Sequence, residues 1–298
     1  MATLTTASFN FVSTDDASYR AWLAHVKSVM DTVNPAMLTQ TADTGQVDVT
    51  TATKPATPST PHLLVYKFDD GIGLPIYILI RMGVSNASGS TSQMRFSFGT
   101  GTDGASNLTG VASELSASAS GKTAMDGSGI SLACCAAGTL SVVFGQTSSW
   151  GKALRGGFTL NRLCDSAGNP IAGGFTWRAW SNYPASSYPN GGVVLYPGFS
   201  PYYPTGVAAN MVTISTSLQD SINPMGWYGT FSGDYQPSPV FARAPLLRQE
   251  RLGRVERSVV GLNVEMSIAL VGSTPRNYKN LGLWADPVLQ YDYLVPWE

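Results

Sequence analysis

Ser13-Thr14-Asp15-Asp16-Ala17-Ser18-Tyr19-Arg20-Ala21-Trp22-Leu23-Ala24-His25-Val26-Lys27-Ser28-Val29-Met30-Asp31-Thr32-Val33-Asn34-Pro35 decides how the rest of the chain is read. Ser13, Thr14, Asp15 and Asp16 can each accept a hydrogen bond from a first-turn amide, so a helix starts here. Tyr19, Trp22, Leu23, Val26, Val29, Met30 and Val33 then recur at helical spacing and form one apolar stripe that needs a partner surface. Asn34-Pro35 stops the helix, because proline lacks the amide donor and clashes with the turn before it. The reading is one helix over about 15–33, and β-structure in everything that follows. The stripe is expected to dock on a neighbouring protein, with Tyr19, Trp22, Leu23, Val26 and Met30 at the interface.

Downstream, Thr50 to Pro61 is rich in Thr, Ala and Pro, and Pro55, Pro58 and Pro61 fall three apart on one side of a polyproline II helix. This predicts a stiff extended arm. Residues 1–61 then read as an N-terminal docking arm and 62–298 as a β-rich body. Leu63 to Phe68 is a strand stopped by Asp69-Asp70-Gly71. Pro75 to Met82 is a near-continuous apolar run, as for a strand covered on both faces. In Gln93 to Phe98, alternation puts Met94, Phe96 and Phe98 on one side. Shorter strands follow at 139–145, 157–164, 173–180, 192–196, 211–218, 240–247 and 263–271, and residues 1–12 suit an arm or edge strand. Phe175, Trp177 and Ala179 point one way in their strand. The Ser/Ala/Gly-rich stretch at 110–129 reads as an internal linker. Many strands with Gly/Pro punctuation predict an antiparallel β-sandwich or barrel-like body carrying one amphipathic helix.

Charged residues make up 12% of the 298-residue chain, against about 25% in an average soluble domain. Ser, Thr, Gly and Ala replace them. With a net charge of -1, such a surface is poorly protected against self-association, so the chain is expected to be covered by copies of itself. The near-neutral balance argues against nucleic acid as a partner. No stretch has the roughly 20 apolar residues of a membrane span, and no secretory signal is read at the N-terminus. Three cysteines, Cys134, Cys135 and Cys164, fit a reducing cytoplasm better than a disulfide framework.

The chemical motifs weigh toward structure. Gly99-Thr100-Gly101-Thr102-Asp103-Gly104 matches a dinucleotide fingerprint but lacks the helix that must open behind it, and reads as a turn. Asp43-Thr44-Gly45 matches an aspartic-protease tripeptide without its second copy or its leading apolar strand. Asp69-Asp70 lacks the further ligands of a calcium loop. His25 and His62 have no metal-spaced partner and no GxSxG elbow to work with. No catalytic residue, metal or cofactor is therefore expected.

Arg243, Arg248, Arg251, Arg254 and Arg257, interleaved with Glu250 and Glu256, suggest a charged intersubunit surface at 248, 251, 254 and 257, against a solvated strand face. Tyr183, Tyr188, Tyr196, Tyr202 and Tyr203 lie among prolines. Tyr188, Tyr202 and Tyr203 are candidates for stacking on a ligand such as a sugar, against packing a loop onto the core.

Tyr19-Arg20-Ala21-Trp22, followed by Gln40-Thr41-Ala42-Asp43-Thr44-Gly45-Gln46, resembles a family of tailed-bacteriophage virion structural proteins. The resemblance continues through a Pro-containing segment, a strand, Asp69-Asp70 and the Gly99–Gly104 turn. It returns at Trp297-Glu298. It implies a non-enzymatic virion component, assembled in the host cytoplasm, whose partners are copies of itself and other virion proteins. Tail or baseplate is the first placement, then collar or capsid exterior. The alternative of a different class is a tail adhesin for a host glycan or receptor, using the tyrosine loops.

Overall fold

The computed structural model describes residues 3–11, 15–84, 92–110, 115–118, 127–146, 156–165, 167–181, 190–195, 212–214, 238–242, 248–256, 264–269, 274–286 and 291–297. Strand β1 (Thr3–Phe11) precedes helix α1 (Asp16–Val33), the only helix among these residues. Asp15 caps the helix, its Oδ1 accepting the Ser18 amide at 2.7 Å, as the cluster of short polar residues predicts. At the other end Asn34 leaves helical geometry just before Pro35.

One sheet, hereafter the small sheet, runs in the order β2 (Leu38–Gln40), β3 (His62–Phe68), β4 (Ile76–Val84), β5 (Ser92–Gly99), β8 (Leu115–Ser118). Between its last two strands lies a separate hairpin of β6 (Gly101–Thr102) and β7 (Leu108–Thr109). The large sheet continues from β1 through β9 (Gly127–Ala136), β10 (Thr139–Gln146) and β11 (Gly156–Cys164). From β11 one branch runs through β12 (Pro170–Ser181), β13 (Asn190–Leu195) and β14 (Val212–Ile214). The other passes to β16 (Arg248–Glu256), flanked by β15 (Ser238–Ala242) and β19 (Tyr291–Pro296), then β18 (Arg276–Asp286) and β17 (Glu265–Ile268). Among the described residues every pairing is antiparallel and neither sheet closes on itself, so the barrel-like alternative does not hold.

One apolar cluster joins the sheets. Leu64, Tyr66 and Phe68 of β3, Ile76, Ile78 and Ile80 of β4 and Phe96 and Phe98 of β5 meet Leu140, Val142, Phe158, Leu160, Phe175 and Trp177 of the large sheet. Phe98 packs between Phe158 and Trp177, with ring centroids 5.4 and 5.3 Å away. The alternation of Phe175, Trp177 and Ala179 is as the sequence predicts.

The helix stripe belongs to this cluster, which corrects the docking expectation. Tyr19, Leu23, Val26 and Met30 are fully buried and Trp22 is 3% exposed, so none is available to a neighbouring molecule. The helix lies against β1, β9 and β2, where the edge of each sheet would otherwise open the core to water. Fully burying side chains of this size is worth about 1.5–3 kcal/mol each, which is what holds the helix to its own sheets.

The division at residue 61 falls with it. Residues 50–61 run back along the helix: Arg20 Nη1 donates to the Ala52 carbonyl at 3.1 Å, and Asp16 Oδ1 accepts the Lys54 amide at 2.7 Å. Ala52 and Pro55 are buried, so this segment is packed and not a projecting arm. The 110–129 stretch is not a boundary either. It contains β8 of the small sheet and opens β9 of the large one, and is the crossover between them.

Candidate functional site

The two glycine-bearing turns that the sequence singles out separately form one structure. Strand β2 follows β3 for three residues, and Thr41 N extends the ladder to the Val65 carbonyl at 2.9 Å. The chain then leaves the edge through Asp43-Thr44-Gly45 and returns at Val47, whose amide donates to the Leu63 carbonyl at 3.0 Å. Gln46 fills the gap with its side chain. Its Oε1 accepts the Val65 amide at 2.8 Å, as a ladder carbonyl would, and also Gln40 Nε2 at 2.9 Å. Its Nε2 donates back to the Thr41 and Asp43 carbonyls at 2.8 and 3.2 Å. A primary amide has the same donor and acceptor as a peptide group, which is why glutamine serves here.

The excursion reaches the β6–β7 hairpin. Thr44 N donates to the Gly104 carbonyl at 2.9 Å, Ser106 Oγ to the Thr44 carbonyl at 2.7 Å, and Thr102 Oγ1 to Asp43 Oδ1 at 3.1 Å. Asp103 shapes the hairpin tip: Oδ1 accepts the Ala105 and Asn107 amides at 2.8 and 3.1 Å, and Oδ2 accepts Asn107 Nδ2 at 2.8 Å. The Asn107 side chain and these amides hold the Asp103 carboxyl below the usual range. Asp165 to Asn169 repeats the pattern, with Oδ1 accepting the Ala167 and Asn169 amides at 2.9 Å each. Both loops read Asp-x-Ala-x-Asn, a likeness the sequence carries and that becomes meaningful only once the bonds are seen. The glycine-rich segment thus ends β5, supplies β6 and enters the hairpin turn at Asp103-Gly104, so only its last part is the turn that its sequence implies.

Asp69 and Asp70 separate in role. Lys67 Nζ lies 2.7 Å from Asp69 Oδ2, and this bond holds the Asp69 carboxyl down. Asp70 is spent on Arg162, whose Nε and Nη2 donate to Oδ2 and Oδ1 at 3.0 and 2.8 Å with both side chains fully buried. The Gly138 and Ile72 amides complete the carboxylate at 3.0 and 3.1 Å, and Arg162 Nη2 also holds the Leu74 carbonyl at 2.8 Å. The pair clamps the β3–β4 loop to the β9–β10 turn and to β11. Such a fork satisfies the acid and leaves no open position for a cation. Sequence reasoning missed Arg162 because nothing local pairs it with an acid 92 positions away.

Both histidines tie elements together. His25 Nε2 lies 2.7 Å from Ser131 Oγ on β9, and His62 Nδ1 lies 3.0 Å from the Tyr19 hydroxyl, which donates to the Met82 carbonyl at 3.1 Å. Burial lowers both imidazole pKa values. All three cysteines are buried and outside any disulfide among the described residues, and burial pushes the Cys135 thiol up to about 12.

Of the remaining candidates, Arg248, Arg251 and Arg254 lie on β16, a strand paired on both sides rather than a loop or an edge. Its pairing with β15 shifts between Gln249 and Gly253, so Arg251 falls in the irregular part. Arg257, Tyr188, Tyr202 and Tyr203 lie outside the described residues. Among the described residues no three His, Cys, Asp or Glu side chains gather as a metal-binding group. No helix there is long and apolar enough to cross a membrane. Compared with known proteins, the chain matches no family model, no curated protein and no solved structure.

Proposed function

We propose that this chain is a non-enzymatic structural component of a tailed-bacteriophage virion. It assembles as a homo-oligomer and docks to neighbouring virion proteins, at the tail or baseplate first and otherwise at the collar or capsid exterior. In this reading its two sheets face one another as a β-sandwich that the helix seals along one side. The observation that carries it is the interlock of Gln40–Val47 with Gly101–Asn107. They overlap Gln40–Gln46 and Gly99–Gly104, two of the segments by which the sequence resembles that family, and they depend on each other for their shape. A structural role is further supported by how the chemically able groups are used: Asp70 on Arg162, Asp103 on its own loop, the histidines on Ser131 and Tyr19. The low charge favours burial against other copies. Docking then uses a surface other than the helix stripe.

Light scattering on the purified chain should give a discrete oligomer of several times 31.5 kDa. An antibody to the chain should label particles of the encoding phage at one fixed position in electron micrographs. A monomer at tens of micromolar (about the range where weak interfaces form) sinks the homo-oligomer, and unlabelled particles sink the virion assignment.

A further inference from the structure

Where β10, β11 and β12 run side by side, the large sheet is buried on both faces. Ala133, Cys135, Leu140, Val142, Phe158 and Leu160 face the apolar cluster, while Ser141, Thr159, Asn161 and Thr176 belong to the opposite face and are at most 1% exposed. On that face Ser141 stands directly opposite Thr159, and Thr139 opposite Asn161, in the β10–β11 register. Thr139 Oγ1 donates to Asn161 Oδ1 at 3.2 Å, which fixes the amide. Ser141 Oγ, Thr159 Oγ1 and Asn161 Nδ2 are completely covered yet find no hydrogen-bond partner among the described residues.

Three such atoms within one small patch are unusual, because more than about 90% of buried polar groups in native proteins are paired. Their spacing points to the missing partner. Side chains directly opposite on one face of an antiparallel pair have Cβ atoms about 4.5–5.5 Å apart. Two short hydroxyls at that separation can both reach a single molecule placed between them, and Asn161 follows Thr159 on the same face of the same strand. An apolar filler would leave all three groups unpaired, and a cation would find no carboxylate among them.

We infer that Ser141, Thr159 and Asn161 form an internal water-binding seam on the outer face of the large sheet, with one ordered water bridging the Ser141 and Thr159 hydroxyls and a second reaching the Asn161 amide. Water is small enough for the site and can give and take hydrogen bonds with hydroxyls whose own protons rotate to suit it. The seam is independent of any virion role.

Chemical denaturation of Ser141→Ala, Thr159→Val and the double variant tests it. A bridging water loses its site when either hydroxyl goes, so each single variant should lower the folding equilibrium constant about five- to tenfold. The double variant should lose little more than one single, because both substitutions remove the same bridge. A gain in stability from either single, or losses that simply multiply in the double, overturns the seam. Should either variant fail to fold, a high-resolution crystal structure of the unaltered chain decides. A water within hydrogen-bond distance of both Ser141 Oγ and Thr159 Oγ1 supports the inference, and a dry seam overturns it.

Discussion

Ser106 adopts φ 61°, a left-handed backbone that costs an L-residue roughly 1–2 kcal/mol, where the sister loop places Gly168 at φ 83°. The serine is fully buried, and its Oγ bond to the Thr44 carbonyl is what glycine could not supply there. Asp70 and Arg162 show the same dependence of one residue on a distant one. Asp70→Asn should destabilise the fold by about 3–5 kcal/mol in urea titrations, because it strands a buried guanidinium. Replacing both partners, as in Asp70→Leu with Arg162→Met, should cost less than the sum of the two single changes. Equal or greater loss in the double would mean that the pair is not coupled. At this scale the sequence shows which residues are polar and punctuating. It does not show that Gln46 will mimic a peptide group, or which arginine will meet the acid pair.

Elements were legible where their pattern is local. The cap, the stripe and the proline stop define α1 to within a residue, and β3, β4, β5 and β10 follow from apolar runs or alternation. The surface covering the stripe was not legible, since amphipathicity reports that a face needs burial and not by what. Strands β16, β18 and β19 were missed because their charges and aromatics follow neither period cleanly. The helix also gives a pH dependence. Burial depresses the His25 and His62 pKa values below the ordinary value of about 6.5, so the folded state prefers both rings neutral. Their contribution is complete above about pH 6.5 and drains away as the pH drops below it through the folded-state values. The thermal midpoint should therefore fall between about pH 7 and 5, and fall less in His25→Gln. An unchanged midpoint across that window would count against neutral, partly buried rings at His25 and His62.

Taken whole, the molecule has no detachable front. Residues from Ala7 to Ala179 contribute to or pack on one cluster, while Tyr278 and Leu294 form a smaller one beside Met266 and Ile268. Deleting residues 1–33 should yield insoluble protein without a cooperative unfolding transition, since Leu64, Tyr66 and Phe68 would lose the helix beside them. A soluble deletion variant that melts cooperatively would restore the idea of an independent arm. Strand-like runs and Gly/Pro punctuation made the β-rich class legible, but the crossover at β8 and β9 could not be read, because Ser, Ala and Gly mark strand and linker alike.

The pairing of β1 with β9 sets Thr3 against Cys135, with α1 lying on both strands. During synthesis at about 5–20 residues per second, β1 therefore waits on the order of ten seconds for its counterpart. Through that interval the part of the stripe that β9 covers stays open, a natural target for a holdase in the producing cell. Nascent chains stalled before residue 127 should accordingly be the ones such a chaperone retains.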